Sequence, residues 1–171
     1  MRYESPQTVD QAISLLAGAG GDPRVLAGGT DLLVQLRAGV IDPELIVDIK
    51  QIDEAMAIST EAGGFRVGAA VSGARLKEHD TLSASWPGVV EAADLIGSTQ
   101  IQGRASMGGN LCNASPAADT VPALIAAGAT CALAGAGGRR EVQVEEICTG
   151  TGQTILPDGE FVVSILLPAR G

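Results

Sequence analysis

The chain has 171 residues, of which 46% are apolar and 18% are charged. This is enough for a buried core and argues against long disorder. Twenty acidic against eleven basic side chains leave a formal charge of -9, which argues against binding to nucleic acid. The three cysteines are an odd number without CxxC spacing, and the chain has one histidine, His79. These residues argue against a four-ligand zinc site, a chain-borne iron–sulfur cluster and a Ser/His/Asp hydrolase. We therefore nominate no catalytic or metal-ligating residue and expect His79 near a helix end.

No segment has the character of a membrane span or a secretory signal. The uncharged stretch 120–138 is mostly Ala and Gly and contains Pro122, so it falls short of a span. The N-terminal residues MRYESPQTVD include no apolar run. A cytoplasmic protein without a membrane span is the resulting expectation.

The first 55 residues are predicted to form a small α/β lobe, as a first domain. A capping-box pattern at Thr8–Gln11 and helical apolar spacing predict a helix over residues 9–17. A strand at Val25–Ala27 and a glycine loop lead into a helix from Leu32 to Gly39. The β-branched run Leu45–Ile49 is typical of a second strand, parallel to the first.

Residues 56–171 are predicted to form a larger α+β lobe, in which helices interrupt one sheet. Glycine turns, apolar alternation and helix-capping residues locate its elements. They are a hairpin of strands 57–60 and 65–69, helices over 72–78, 89–96 and 122–127, a hairpin of strands 130–133 and 141–144, and a last strand 161–167.

The first glycine loop, Gly28-Gly29-Thr30-Asp31, lies between a predicted strand and a predicted helix. Glycines at positive φ can turn their N–H groups inward and form an anion-binding nest. The amides at the start of the helix add donors, so a phosphate could be held without Lys or Arg. Taken alone, the loop is more typical of a tight strand-to-helix turn capped by Thr30 or Asp31.

The second candidate segment, Thr99–Asp119, is predicted to be one long functional loop. Gly108-Gly109 would permit close backbone approach, and Ser106 and Asn110 could donate to phosphate oxygens. Asp119 could accept from a ribose hydroxyl. Two anion-compatible loops suggest a diphosphate held from both sides, although residues 113–117 are also typical of a loop that satisfies only its own backbone. Neither a G-x-G-x-x-G fingerprint nor a P-loop occurs.

The segments LAGGTDLL (residues 26–33) and QIQGRASMGGNLCNASPAAD (residues 100–119) resemble the two FAD loops of the flavin-binding subunit of molybdenum hydroxylases, the xanthine dehydrogenase and aerobic carbon monoxide dehydrogenase family. The segments 67–71 and 158–168 also resemble that family. Where the family commonly has Arg-Asn after Gln-Ile, this chain has Gln102-Gly103. The family normally continues into a C-terminal domain, which the resemblance implies is encoded separately, lost or cut away.

The resemblance implies two α/β lobes of the PCMH/vanillyl-alcohol-oxidase-like type with FAD between them. The pyrophosphate would lie against both loops, Asp119 would hold the adenosine part, Ile96 and Val163 would flank rings, and other residues would line the groove. The implied cofactor-binding residues are Val25, Leu26, Ala27, Gly28, Gly29, Thr30, Asp31, Leu32, Ile96, Ala105, Ser106, Gly108, Gly109, Asn110, Cys112, Asn113, Asp119 and Val163.

The resemblance further implies an electron-transfer subunit of a molybdenum hydroxylase complex. Electrons would pass from 2Fe–2S clusters through FAD to NAD, a quinone or oxygen. The implied partners are a molybdopterin-binding large subunit and a 2Fe–2S small subunit, together with any separate C-terminal flavoprotein domain. The alternatives are a free-standing flavin oxidoreductase of similar fold and a structural subunit that has lost FAD.

Overall fold

A computed structural model of the protein describes residues 1–170, in which helices and strands alternate along the chain. This mixture confirms the predicted α+β class. The strands are β1 (Arg2–Glu4), β2 (Arg24–Leu26), β3 (Leu45–Asp48), β4 (Ile58–Glu61), β5 (Gly64–Gly68), β6 (Thr130–Gly135), β7 (Gly138–Gln143), β8 (Cys148–Gly150), β9 (Gln153–Thr154) and β10 (Phe161–Leu167). The helices are α1 (Val9–Ala17), α2 (Leu32–Arg37), α3 (Asp53–Met56), α4 (Gly73–Lys77), α5 (Asp80–Ser85), α6 (Pro87–Asp94), α7 (Thr99–Gln102), α8 (Met107–Cys112), α9 (Thr120–Ala126) and α10 (Val144–Ile147).

The first three strands form a parallel sheet in the order β1-β3-β2. All four residues of the middle strand β3 are buried, as expected for a β-branched strand covered on both faces. The predicted strand at Leu45–Ile49 is confirmed, and it is parallel to its neighbours. The outer strand β1 was not predicted, because its residues are polar and mostly exposed.

A second, antiparallel sheet has the order β4-β5-β10-β6-β7. The last strand, β10, lies in its middle between two hairpins, which explains why nearly all of its residues are buried. The β4–β5 turn places Ala62 and Gly63 at positive φ, as a tight hairpin turn requires. These strands confirm the predicted hairpins and the predicted last strand.

The two sheets share one apolar core. Leu45 and Val47 of the first sheet belong to the same buried cluster as Val67 and Ile165 of the second. The change from one sheet to the other falls between β3 and β4, near the boundary predicted at residue 55. The division into domains at 1–55 and 56–171 stays a prediction, because residues from both sides pack in a common core.

The prediction of one long loop over Thr99–Asp119 is wrong. Helices α7 and α8 lie within it. Ser106 begins α8 by accepting a hydrogen bond on Oγ from the Gly109 N–H at 3.1 Å. Met107 and Leu111, one turn apart, are buried in the core. Tertiary burial therefore makes a helix of a sequence whose glycines disfavour one.

Several short elements were not predicted, because each is too short to show a period. They are α3, α5, α10, β8 and β9. His79 precedes helix α5 and caps it, because its Nδ1 accepts a hydrogen bond from the Leu82 N–H at 3.2 Å. The expected position of His79 near a helix end is confirmed.

Candidate functional site

A cleft of about 670 Å³ lies between the loop after β2, helix α8 and the turn before β10. Small-molecule and cofactor sites commonly have volumes of about 300–1,000 Å³. The two predicted segments therefore meet on one cleft. The predicted residues that line it are Val25, Ala27, Gly28, Gly29, Thr30, Asp31, Leu32, Ile96, Ala105, Ser106, Gly108, Gly109, Asn110, Cys112 and Asn113.

Three predicted residues do not line the cleft. Leu26 and Val163 are buried in β2 and β10. Asp119 is exposed at the start of α9 and its side chain makes no capping hydrogen bond there. The cofactor contacts of these three residues stay predictions.

In the first loop, Gly28 and Gly29 are needed for different reasons. Gly29 has a φ of +80°, the left-handed conformation that glycine adopts without steric cost. Gly28 does not have positive φ, so that part of the nest hypothesis is wrong for it. A Cβ on Gly28 would instead collide with the Arg104 carbonyl oxygen and lie 2.9 Å from the Arg104 carbonyl carbon. Gly28 thus allows the first loop to touch the backbone of the second segment.

In the second segment, Gly108 and Gly109 lie in the first turn of α8, and neither has positive φ. At Gly108 a Cβ would lie 2.6 Å from the Ala69 carbonyl oxygen, so this glycine allows α8 to pack closely against Ala69. A Cβ on Gly109 would meet only Ser106 Oγ, at 3.2 Å.

Several backbone N–H groups along the cleft have no acceptor within residues 1–170. They include those of Gly28, Gly29, Thr30, Asp31 and Leu32 in the first loop and of Gly108 at the start of α8. Such groups can donate to a ligand that carries acceptor oxygens.

The charged side chains of the cleft cannot replace these amides. Arg24 is the one cationic residue that lines the cleft in the described part of the chain, and its Nη2 lies 2.6 Å from Asp22 Oδ2. The acidic lining residues are Asp22, Asp31, Asp158 and Glu160. An anionic ligand would therefore depend on backbone donors, as the sequence predicts.

Two asparagines of the second segment act within the protein. Asn110 Oδ1 accepts hydrogen bonds from Thr120 N at 3.1 Å and Thr120 Oγ1 at 2.6 Å. These bonds tie α8 to α9 and leave the Asn110 amide group available as the donor that was predicted. Asn113 Oδ1 accepts from Gln35 Nε2 at 3.2 Å, which joins α2 to the end of α8 across the cleft.

Sequence reasoning missed one wall of the cleft. Residues 156–162, which form the turn before β10 and the beginning of that strand, line the cleft, as do Leu16, Ala17 and residues 21–24. Gly159, at a φ of +81°, lies in that turn. The Pro-Asp-Gly sequence at 157–159 signals a turn, but nothing local indicates that the turn faces the other two segments.

The three cysteines are unpaired and lie in different surroundings. Cys131 is buried, and desolvation raises the pKa of its thiol to about 12, whereas Cys112 is exposed and lines the cleft. Within residues 1–170 no cluster of His, Cys, Asp and Glu could hold a metal ion. In the same residues, no helix combines the length and apolar character needed to cross a bilayer.

The family model for the FAD binding domain in molybdopterin dehydrogenase matches residues 1–170. The carbon monoxide dehydrogenase medium chain of Hydrogenophaga pseudoflava is 34% identical over 167 residues, 98% of this chain and 58% of that one. The xanthine dehydrogenase FAD-binding subunit of Escherichia coli O157:H7 is 32% identical over 169 residues, again 98% of this chain and 58% of its own. The structure of carbon monoxide dehydrogenase from Hydrogenophaga pseudoflava that lacks the Mo-pyranopterin moiety matches with a TM-score of 0.95 and 33% identity, over 100% of this chain and 60% of that one.

The chain belongs to the family of FAD-binding domains of molybdopterin dehydrogenases. The family resemblance and FAD as the cofactor are confirmed. The chain spans somewhat less than two thirds of the length of these relatives. The activity, substrates and partners of the full-length relatives are therefore proposals for this chain.

Proposed function

We propose that this chain is the FAD-binding, electron-transfer part of a molybdenum hydroxylase complex. In this proposal electrons arrive from 2Fe–2S clusters and leave FAD for NAD, a quinone or oxygen. The single observation that carries the proposal is the convergence of two glycine segments on one cleft, with unpaired backbone N–H groups in both segments and no unpaired cationic side chain among the described lining residues. This donor set suits the diphosphate bridge of FAD.

The chain's own residues bind and orient the cofactor. The N–H groups of Gly28, Gly29, Thr30 and Gly108 would donate to the diphosphate oxygens. The Gln35–Asn113 hydrogen bond links the two sides of the cleft. FAD supplies the redox chemistry, since a flavin can take electrons singly and release them in pairs. No protein acid or base is assigned.

The remaining site residues are proposed contacts at the two ends of the cofactor. Ile96 lines the cleft and would flank a ring. Asp119 and Val163 are retained as the adenosine and ring contacts implied by the family resemblance, although neither lines the cleft. For Leu26, whose side chain is buried, a contact through the backbone is the one we propose.

The proposed partners are a molybdopterin-binding large subunit and a 2Fe–2S small subunit, in the cytoplasm. Several relatives are themselves named as parts of assemblies, including a nicotinate dehydrogenase FAD-subunit and a caffeine dehydrogenase subunit beta. A separately encoded C-terminal flavoprotein domain is a further proposed partner.

Purification of the protein from its native source, followed by a visible spectrum and subunit masses, tests this function. We expect flavin and 2Fe–2S absorption in one complex with two further chains, and FAD binding with little turnover by the isolated chain. Turnover of an organic substrate by the isolated chain would favour the free-standing oxidoreductase. A chain that stays colourless after addition of FAD would favour the structural subunit.

A further inference from the structure

Lys50 lies directly beneath the first glycine loop. Strands β2 and β3 are parallel neighbours, with Leu26 opposite Asp48, so both strands end at the same edge of the sheet. The 3-10 turn Ile49–Gln51 follows β3 and brings Lys50 to the residue after β2. There the Lys50 Nζ donates a hydrogen bond to the Ala27 carbonyl oxygen at 3.0 Å.

The ammonium group of Lys50 is itself held in place. Its Nζ lies 2.8 Å from Asp48 Oδ1, which also accepts from the Lys50 backbone N–H at 2.9 Å. The other oxygen, Asp48 Oδ2, accepts from the Tyr3 hydroxyl of β1. Asp48 is buried, with 6% of its surface exposed. The carboxylate is therefore fixed on both oxygens and fixes Lys50 in turn.

The charge state of this network follows from its contacts. Desolvation raises the pKa of Asp48, but hydrogen bonds from Lys50 and Tyr3 lower it by more, so the pKa of this carboxyl lies below its usual range. The Tyr3 hydroxyl has a raised pKa, chiefly because it donates to this carboxylate. At neutral pH Asp48 is thus ionised and Tyr3 is neutral, so the carboxylate accepts the hydrogen bond from Lys50 Nζ and holds that group in position.

The position of the Ala27 carbonyl determines the direction of the Gly28 N–H. Both groups belong to one peptide unit, and none of the described peptide bonds is cis. In a planar trans peptide the C=O and N–H point in opposite directions. Because the Ala27 oxygen is directed to Lys50, the Gly28 N–H is directed away from it, and this N–H has no acceptor within residues 1–170.

We propose that Lys50 is a positioning residue for the diphosphate site: by holding the Ala27 carbonyl it aims the Gly28 N–H into the cleft. Lys50 does not line the cleft, so it acts through the peptide and not as a direct counterion. Without the ammonium, rotation of this peptide would present a carbonyl oxygen to the diphosphate and repel it. The inference rests on the proposed function of the cleft.

The variants Lys50→Met, Lys50→Arg and the control Lys77→Met test this role in the full chain. Lys50→Met removes the ammonium and keeps an apolar stem, whereas arginine can still donate to the carbonyl. Lys77 is an exposed lysine paired with Asp94 at 2.7 Å, away from the cleft. We expect Lys50→Met to weaken FAD binding at least about tenfold, Lys50→Arg to restore most of it, and Lys77→Met to bind normally.

Selective labelling of glycine with 15N distinguishes a positioning role from a purely structural one, because a purely structural role would not change the ligand-induced shift of the Gly28 amide signal. The chain has 23 glycines, so the Gly28 amide signal can be followed on addition of ADP in phosphate-free buffer. We expect a large shift in the unmodified chain and in Lys77→Met, and a small one in Lys50→Met at the same bound fraction.

These measurements test the function of the cleft and the positioning role of Lys50 separately. If the Gly28 amide signal of the unmodified chain does not shift on addition of either ADP or FAD, the proposed function of the cleft is wrong. If that signal responds normally but Lys50→Met has unchanged FAD affinity and an unchanged Gly28 shift, the positioning role is overturned. A stability loss in Lys50→Met that lowers affinity without altering the Gly28 shift, and that arginine does not repair, also overturns it.

Discussion

Replacement of Gly28 by alanine should separate the two segments of the cleft and abolish tight FAD binding. The added Cβ would collide with the Arg104 carbonyl oxygen and would lie 3.0 Å from the Ala105 Cα. Backbone atoms cannot move aside as a flexible side chain can. We expect the free energy of unfolding to fall by about 1–3 kcal/mol, the usual cost of overpacking. Denaturant unfolding and a fluorescence titration with FAD measure the two effects.

Gly88→Ala is the matched control for this change. A Cβ on Gly88 has open space within 4 Å, and Gly88 lies in the first turn of α6, away from the cleft. We expect unchanged FAD affinity and a gain of up to about 1 kcal/mol, because alanine is the better helix former. The close approach of the two backbones would be refuted if Gly28→Ala matched Gly88→Ala in both stability and affinity.

Replacement of Gly109 by valine should weaken FAD binding while the fold is retained. Within 4 Å, a Cβ at this position meets only Ser106 Oγ, and Gly109 lines the cleft, so we expect the valine methyl groups to extend into it. They would occupy space beside the unpaired Gly108 N–H. We expect a loss of FAD affinity of at least about tenfold, equivalent to 1.4 kcal/mol. Circular dichroism should match that of the unmodified chain.

Two comparisons make the Gly109→Val result specific. Gly137→Val places the same side chain in open space at the β6–β7 turn, outside the cleft lining, and should leave FAD affinity unchanged. Gly108→Ala should instead destabilise the fold, because its Cβ would lie 2.6 Å from the Ala69 carbonyl oxygen. Normal FAD affinity in a folded Gly109→Val protein would remove this turn of α8 from the site.

Local sequence patterns were sufficient for elements whose burial repeats with a clear period. Helix α1 could be predicted from its capping residue Thr8 and its buried face of Val9, Ala12 and Leu16. The hairpin of β6 and β7 and the buried strand β10 could be predicted from apolar runs next to glycine or proline. Helix α8 could not, because its sequence MGGNLC has low helix propensity and forms a helix only through tertiary burial.

The cleft was predictable only in part for a similar reason. The residue types of the two glycine segments indicate backbone donors, and the family resemblance names the ligand. Gly28 must be glycine because a Cβ there would collide with the backbone of Arg104, which is 76 positions later in the chain. The wall at residues 156–162 and the Lys50–Ala27 bond likewise depend on which strands are neighbours. Such contacts are set by topology and leave no local pattern.

Hydrogen–deuterium exchange of the full chain, with and without saturating FAD, tests most directly whether backbone amides of the two segments hold the cofactor. Exchange slows where a ligand occupies amide hydrogens or suppresses local opening. We expect slower exchange over residues 25–32 and 106–113 and unchanged exchange in β7, which does not line the cleft. Protection elsewhere, with both segments exchanging as they do without FAD, would contradict the account.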